Sequence, residues 1–235
     1  MKPVAIFRHS PTEGPGYFAA FLDRTRVPWR LVEVDAGEPV PASVDQFGGL
    51  VFMGGPMSVN DPLPWIPPAL DLIRQAVARD MPVLGHCLGG QLMSKALGGT
   101  VSRTPIKEIG WGEVHVADSA AAQAWFGPGC RAFVTFHWHG ETFSLPQGAT
   151  PVLSGPWCQN QAFALGPHLA LQCHIEMTGE LVHGWCETGE QEITRRPGPA
   201  VQPVPRILAD LDARLAALQA VADRVYARWI SGLEP

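Results

Sequence analysis

Residues 85–89 read Gly-His-Cys-Leu-Gly and follow a short apolar run at residues 81–84. A nucleophile on a tight turn between a strand and a helix needs glycines two positions away on either side, because larger side chains would collide with the strand or the helix. The N-terminus of the helix would also favour the thiolate, which is the nucleophilic form of cysteine. The spacing therefore predicts that Cys87 is a nucleophile; the alternative is a buried structural cysteine in a glycine-rich turn.

A histidine and a glutamate, His174 and Glu176, follow a second apolar run at residues 169–173. A cysteine nucleophile needs a base, and the base needs a group that orients it. Residues i and i+2 of a strand project from the same side, so a strand ending at the same sheet edge as Cys87 would bring both side chains to the sulfur. We predict that His174 is the base and that Glu176 orients it.

The elements that must position these residues alternate between strand and helix patterns in the first hundred residues. Apolar runs predict strands at residues 4–7, 31–34, 49–53 and 81–84. Helical spacing predicts an amphipathic helix through Ile66, Leu70, Ile73 and Val77. Strands joined by helices imply a parallel sheet covered on both faces. After residue 100 the pattern changes to short strands, at residues 113–116, 132–136, 151–153, 162–165 and 168–173.

The C-terminal part, residues 191–235, differs in pattern from residues 1–190, which we take as one α/β domain. A proline-rich connector at residues 195–205 precedes a long helix with an apolar stripe of Leu211, Leu215, Leu218, Ala222, Val225 and Trp229. Such a stripe most often packs on its own domain, and this is our prediction. A contact between two copies of the chain, in a homodimer, is the alternative.

The composition of the 235-residue chain is that of a globular protein, with 46% hydrophobic and 17% charged residues. A net charge of −5 without basic runs argues against nucleic acid or an anionic membrane as a partner. The N-terminus does not resemble a signal peptide, and the apolar runs are shorter than the ~20 residues that span a bilayer. The five cysteines are scattered, which predicts free thiols in a cytoplasmic protein.

Together, the motifs resemble those of the triad (class I) glutamine amidotransferases. Residues 85–91 match Gly-x-Cys-x-Gly-x-Gln, residues 174–176 match His-x-Glu, and residues 54–59 resemble the glycine-rich oxyanion loop of the GMP synthetase branch. Matches to stand-alone GMP-synthetase-like members lie at residues 107–111, 138–143 and 160–163. The resemblance covers about residues 1–190. Pattern and resemblance together imply a flavodoxin-like three-layer α/β sandwich with a mostly parallel central sheet, a small antiparallel ribbon and a C-terminal helix.

The resemblance also implies roles for residues around Cys87. Backbone N–H groups of Gly55 and Leu88 would form the oxyanion hole that binds the tetrahedral intermediate. Gln91 and the backbone at His139 and Gly140 would hold the glutamine substrate. The family hydrolyses the side-chain amide of glutamine through a γ-glutamyl thioester, and this reaction requires neither a metal nor an organic cofactor.

Three residues depart from the common family pattern. His86 occupies a position that is usually apolar, Gly90 stands where many members have histidine, and Ile175 replaces a frequent proline. None of these changes removes a triad group. They bear on the substrate pocket and on contact with a synthetase.

Three functions stay open at this point. The first is an amidotransferase that hydrolyses L-glutamine and passes ammonia to an ATP-dependent synthetase in trans. The second is a free-standing peptidase or hydrolase of γ-glutamyl compounds. The third is a non-catalytic binding or regulatory protein with the same fold, which a fold alone would not exclude. We rank the third last because all triad groups are present.

Two further histidines, His137 and His139, raise the alternative of a zinc site with Cys158, Cys173 or Cys186. Their spacing matches no common pattern of zinc ligands. We therefore predict no metal and interpret the two histidines as pocket or core residues.

Overall fold

The computed structural model describes residues 1–234, in which one nine-stranded sheet carries helices on both faces. In chain order the strands are β1 (Val4–Arg8), β2 (Trp29–Glu33), β3 (Gly49–Phe52), β4 (Val83–His86), β5 (Val101–Val116), β6 (Ala132–Phe143), β7 (Thr150–Ser154), β8 (Ala162–Leu165) and β9 (His168–Leu171). The helices are α1 (Gly16–Thr25), α2 (Ile66–Val77), α3 (Leu88–Ala96), α4 (Ala120–Phe126), α5 (Gly179–Arg195), α6 (Val204–Leu208) and α7 (Leu211–Ile230).

The strand order across the sheet is β2-β1-β3-β4-β9-β8-β7-β5-β6. The first five strands in this order are parallel, and their arrangement is that of flavodoxin-like folds. The other four extend the sheet by antiparallel pairing. The predicted flavodoxin-like α/β sandwich is confirmed.

Two hydrophobic cores fill the space between the sheet and its two helical layers. Alternate residues of strand β1 contribute to different cores, because successive side chains of a strand point to opposite faces. Val4 and Ile6 enter one core, while Ala5 and Phe7 enter the other. Helices α1, α4, α5 and α7 cover the first face, and helices α2 and α3 cover the second. Cys87 therefore follows a strand that is buried on both faces.

The C-terminal helix α7 packs on the first face of the sheet, against α1. Tyr226 and Trp229 are buried and lie edge-on to Phe18, with ring centroids 4.7 and 5.7 Å away. The Tyr17 hydroxyl donates a hydrogen bond to Asp223 over 2.9 Å. None of the helices within residues 1–234 combines the length and apolar character needed to cross a membrane.

Several elements differ from their sequence-based expectation. The antiparallel ribbon is long: β5 has 16 residues and β6 has 12, with a register shift between Arg103 and Glu108. Glycines and a proline in this stretch are uncommon within strands, so the sequence pattern did not predict strands of this length. Strand β9 ends at Leu171, two residues early, and α5 was not predicted because only four of its 17 residues are buried.

Candidate active site

Cys87 sits on the turn between β4 and α3 with φ +49° and ψ −106°. L-residues rarely adopt a positive φ, and holding one there costs roughly 1–3 kcal/mol, so the surroundings must enforce it. The Cys87 N–H donates to the carbonyl of Leu171 over 2.8 Å, which ties the turn to the end of β9. The thiol thus projects from a strained turn at the carboxyl edge of the parallel strands.

Glycines beside Cys87 allow the turn to form, as their spacing predicted. A Cβ on Gly89 would lie 1.9 Å from the carbonyl oxygen of Phe52, and one on Gly85 would lie 2.4 Å from the carbonyl carbon of Gly89. Gly90 is equally restricted, since its Cβ would lie 2.5 Å from the Leu171 oxygen. The departure at Gly90 therefore accompanies a close approach of α3 to β9.

His174 and Glu176 lie beyond the end of β9. The N–H of His174 donates to the Phe136 carbonyl over 2.9 Å, and Thr135 Oγ1 donates to the His174 carbonyl over 2.8 Å. His174 Nδ1 lies 2.7 Å from Glu176 Oε1. The two side chains meet as predicted, but a bridge to β6 rather than a continued β9 positions them.

The electrostatics of this pair favour a charged imidazole. Because a carboxylate only accepts, His174 Nδ1 carries a proton, and its buried Nε2 has no hydrogen-bond partner among residues 1–234. Burial lowers the pKa of His174, but the charges of Glu176 and Cys87 outweigh it and raise this pKa well above its usual value. Burial likewise opposes ionisation of Glu176, whose pKa is lowered to about 2 by His86 and His174.

A glutamine that sequence reasoning missed, Gln172, contacts the sulfur. Its Nε2 donates to Cys87 Sγ over 3.6 Å, and its Oε1 accepts from Gln91 Nε2 over 3.2 Å. Gln172 is fully buried. No motif marks this residue, because its role depends on the bend that follows β9.

The two predicted oxyanion-hole residues flank Cys87. Leu88 is the first residue of α3, so its N–H has no acceptor within the helix. A Cβ on Gly55 would lie 2.6 Å from the Leu88 side chain and 2.5 Å from Met57 Sδ. The side chains of Met57 and Leu88 would have to move to admit a Cβ at position 55, so glycine suits this close approach to the start of α3.

A cavity of about 700 Å³ opens at Cys87. Five of the eight predicted site residues line it: Gly55, Cys87, Gln91, His139 and Gly140. The other three, Leu88, His174 and Glu176, are buried beside it. The wall also carries charged side chains that sequence reasoning did not single out: Glu13, Arg103, Lys107, Glu141, Glu192 and Arg196.

One of these charged residues, Glu13, lies close to the His174 ring. A Cβ on Gly54 would lie 2.2 Å from Glu13 Oε2 and 3.3 Å from His174 Cε1, so the carboxyl group and the imidazole share the space above this glycine. Burial raises the pKa of Glu13 to about 7; the charge of His174 opposes this shift and that of Glu176 adds to it.

The fold and the sequence of the chain match those of a known protein family. The sequence model of the family "Glutamine amidotransferase class-I" matches residues 22–182. The chain belongs to the class I glutamine amidotransferases.

The chain is similar to several individual proteins with this fold or sequence pattern. The glutamine amidotransferase-like protein YfeJ of Salmonella typhimurium is 30% identical over 196 residues, which cover 81% of this chain and 82% of YfeJ. Gamma-glutamyl peptidase 3 of Arabidopsis thaliana is 27% identical over 179 residues, 71% of each chain. A crystal structure of a glutamine amidotransferase from Methylobacillus flagellatus has a TM-score of 0.96 and 44% identity, and covers 100% of this chain and 96% of that one.

Proposed function

We propose that the protein hydrolyses the side-chain amide of glutamine, with Cys87 as nucleophile, His174 as base and Glu176 as the group that orients the base. One observation carries the proposal. The strained turn presents Cys87 to a cavity, and the buried His174–Glu176 pair, joined over 2.7 Å, lies at the same sheet edge. This combination supplies a nucleophile, a proton acceptor and a substrate space.

The proposed mechanism has two stages. The thiol proton resides on His174, which gives the charged imidazole, and the sulfur attacks the amide carbon to form an oxyanion that the N–H groups of Gly55 and Leu88 stabilise. His174 returns the proton to the leaving ammonia, which produces a γ-glutamyl thioester. Water attacks the thioester as His174 accepts its proton, and glutamate leaves with regeneration of the thiol.

The released ammonia is the product that an amidotransferase delivers. We propose that it passes to a separate ATP-dependent synthetase, and that Gln91 and the backbone at His139 and Gly140 hold the substrate. The stripe on α7 is engaged within the chain, which argues against a homodimer contact through this helix. A reactive thiol is best maintained in a reducing compartment, so we place the reaction in the cytoplasm.

A second candidate is the hydrolysis of γ-glutamyl amides with a leaving amine larger than ammonia. The cavity volume favours it, because about 700 Å³ is in the range of pockets that hold drug-sized ligands. The similarity to a gamma-glutamyl peptidase points the same way. Both candidates use the same thioester chemistry at Cys87 and differ only in the amine released.

Covalent labelling tests the shared mechanism. The purified protein is incubated with a diazo-ketone analogue of glutamine, and the adduct is located by intact mass and peptide mapping. We expect one adduct, on Cys87, that is lost in Cys87→Ala. The matched control is Cys130→Ala, because Cys130 is a partly exposed thiol away from the cavity and its loss should leave labelling unchanged.

Turnover then separates the candidates. Ammonia release from glutamine is compared with amine release from a γ-glutamyl dipeptide, and the amidotransferase predicts a higher kcat/KM for glutamine. His174→Ala should lower either rate by about 10²–10⁴ through loss of proton transfer, while Glu176→Gln should be milder. Undiminished turnover in Cys87→Ala would contradict the mechanism. Resistance of Cys87 to both the analogue and a small alkylating reagent would favour the non-catalytic alternative.

A further inference from the structure

Three buried side chains meet on the β5–β6 ribbon, beside the cavity. Glu108 on β5 pairs directly with His139 on β6, and His137 is two positions away on the same face of β6. Their exposed fractions are only 4%, 4% and 2%. One ligand atom from each, a ring nitrogen or a carboxylate oxygen, lies within 4.8 Å of the other two. The proposed hydrolysis uses none of these three side-chain groups as an acid or a base.

The protonation of His139 leaves a lone pair directed at Glu108. His139 Nδ1 lies 3.0 Å from the carbonyl oxygen of Glu141, which can only accept, so Nδ1 carries the proton of the neutral ring. The other nitrogen, Nε2, lies 3.1 Å from Glu108 Oε2. In the neutral ring both facing atoms are acceptors. This buried contact is therefore favourable only when a cation, either a proton or a metal ion, lies between them.

His137 offers the third ligand. Both of its ring nitrogens are buried and have no hydrogen-bond partner within residues 1–234. The ring is packed on Gly112, where a Cβ would lie 2.9 Å from Cδ2. A metal ion would supply the partner that this buried imidazole lacks.

We propose that Glu108, His137 and His139 form a binding site for a zinc ion. Two neutral imidazoles and one carboxylate are a ligand set that zinc commonly takes. The surrounding groups have the arrangement seen around metal sites: the far nitrogen of His139 donates to a backbone carbonyl, and Gln161 Nε2 donates to Glu108 Oε2 over 2.8 Å. With bonds of about 2.0–2.1 Å, binding requires the rings to move inward on the order of 1 Å.

The ion would brace the ribbon and take no part in the hydrolysis. His139 and Gly140 line the cavity, so an ion held by His139 fixes the backbone that forms this part of the wall. The cysteines considered from sequence are not needed as ligands, because Glu108 on the neighbouring strand completes the set.

Zinc retention tests the site in the full-length protein. The Cys87→Ala variant is used as the parent, so that the reactive thiol cannot hold the ion. It is stripped with a chelator, incubated with zinc, passed through gel filtration and assayed for metal by mass spectrometry. We expect one zinc per chain, and an affinity at least about tenfold weaker when Glu108→Gln or His137→Gln is added. The matched control is His115→Gln, an exposed histidine on the same ribbon whose loss should change nothing.

Cobalt substitution tests the ligands of the site in the Cys87→Ala parent alone, without a second substitution. Visible absorption typical of nitrogen and oxygen ligands, without a thiolate charge-transfer band, would support the site even if Glu108→Gln or His137→Gln failed to fold. Absence of retained zinc in the parent, or equal retention in both ligand variants, would overturn the proposal. So would nitrogen NMR showing both ring nitrogens of His139 protonated in zinc-treated protein, because a proton would then occupy the place of the metal.

Discussion

At the scale of single residues, Gln172 connects Cys87, the proposed nucleophile, to Gln91 in the wall of the cavity. Its amide donates to the Cys87 sulfur and accepts from Gln91, so Gln91 acts on the thiol through a second side chain. A hydrogen bond to a charged acceptor is stronger than one to a neutral acceptor. The amide of Gln172 therefore stabilises the thiolate more than the thiol.

Replacing this amide should slow every reaction of Cys87. For Gln172→Met, which keeps the length of the side chain, we expect both alkylation by the glutamine analogue and kcat/KM for hydrolysis to fall about 10- to 100-fold, because a hydrogen bond to a charged group contributes about 1.5–3 kcal/mol. The rates are measured near neutral pH. Gln123→Met on the exposed face of α4 is the control. Unchanged alkylation in Gln172→Met would show that the amide does not act on the thiolate.

At the scale of elements, helix α7 contacts the His174–Glu176 pair through His86. The hydroxyl of Tyr226 lies 3.3 Å from His86 Nε2, and this nitrogen lies 3.7 Å from Glu176 Oε2. Glu176 thus meets His174 with one oxygen and His86 with the other. The departure from the family pattern at His86 is thereby linked to a helix that carries no family motif.

The two tyrosines of the chain allow a matched test of this link. Tyr226→Phe removes the hydroxyl beneath His86, and we expect kcat/KM to fall about 3- to 10-fold, because a neutral hydrogen bond contributes roughly 0.5–1.5 kcal/mol. Tyr17→Phe removes a hydroxyl that binds Asp223 at the surface of α7 and should leave kcat/KM unchanged. Equal kcat/KM values for the two variants would show that the Tyr226 hydroxyl of α7 does not influence the site.

Helix α3 approaches the sheet so closely that Gly89 should tolerate no side chain. We expect Gly89→Ala to lower the free energy of unfolding by about 1–3 kcal/mol, since its methyl group would overlap the Phe52 carbonyl. Gly184→Ala is the control: it lies in α5 with open space around it, and alanine should raise the free energy of unfolding by up to about 1 kcal/mol. Urea unfolding measures both, and a Gly89→Ala protein as stable as the parent would contradict the packing.

At the scale of the whole molecule, two carboxyl groups, those of buried Glu176 and half-buried Glu13, give the stability opposite dependences on pH. The pKa of Glu176 is lowered to about 2, so its contribution is present above its usual value of 4.5 and is lost as the pH falls through 2. The pKa of Glu13 is raised to about 7, so its contribution is present below 4.5 and is lost as the pH rises through 7. Their combined contribution is therefore largest near pH 4.5.

Glu13→Gln should remove the second of these dependences. Below pH 4.5 the variant and the parent should have similar stability, because Glu13 is protonated in both the folded and the unfolded parent. Between pH 4.5 and pH 7 the parent should lose stability relative to Glu13→Gln, since folding opposes ionisation of the buried carboxyl group. Urea unfolding across this range measures the difference. A difference that stays constant with pH would mean that Glu13 ionises freely.

The sequence predicted those parts of the molecule that depend on local pattern. Helix α2 and strand β8 have the bounds that periodicity gave, and the spacing around Cys87 follows from steric limits that any such turn must meet. Gln172 and Glu13 were missed because no motif marks them and only the assembled sheet edge brings them to the site. Glu108 was not linked to His139 as a possible ligand because the pairing depends on the register of β5 against β6.

The insertion of β9 beside β4 has a consequence for the nascent chain. Cys87 and Gln172 are 85 positions apart, and His174 follows still later. Contacts of such high sequence separation form late, because the intervening chain must first be closed into a loop. During synthesis on the ribosome, Cys87 therefore emerges without its proposed base, His174, and without its amide donor, Gln172. The reactivity proposed for Cys87 then arises only with completion of the sheet, so the unfinished chain carries no activated nucleophile.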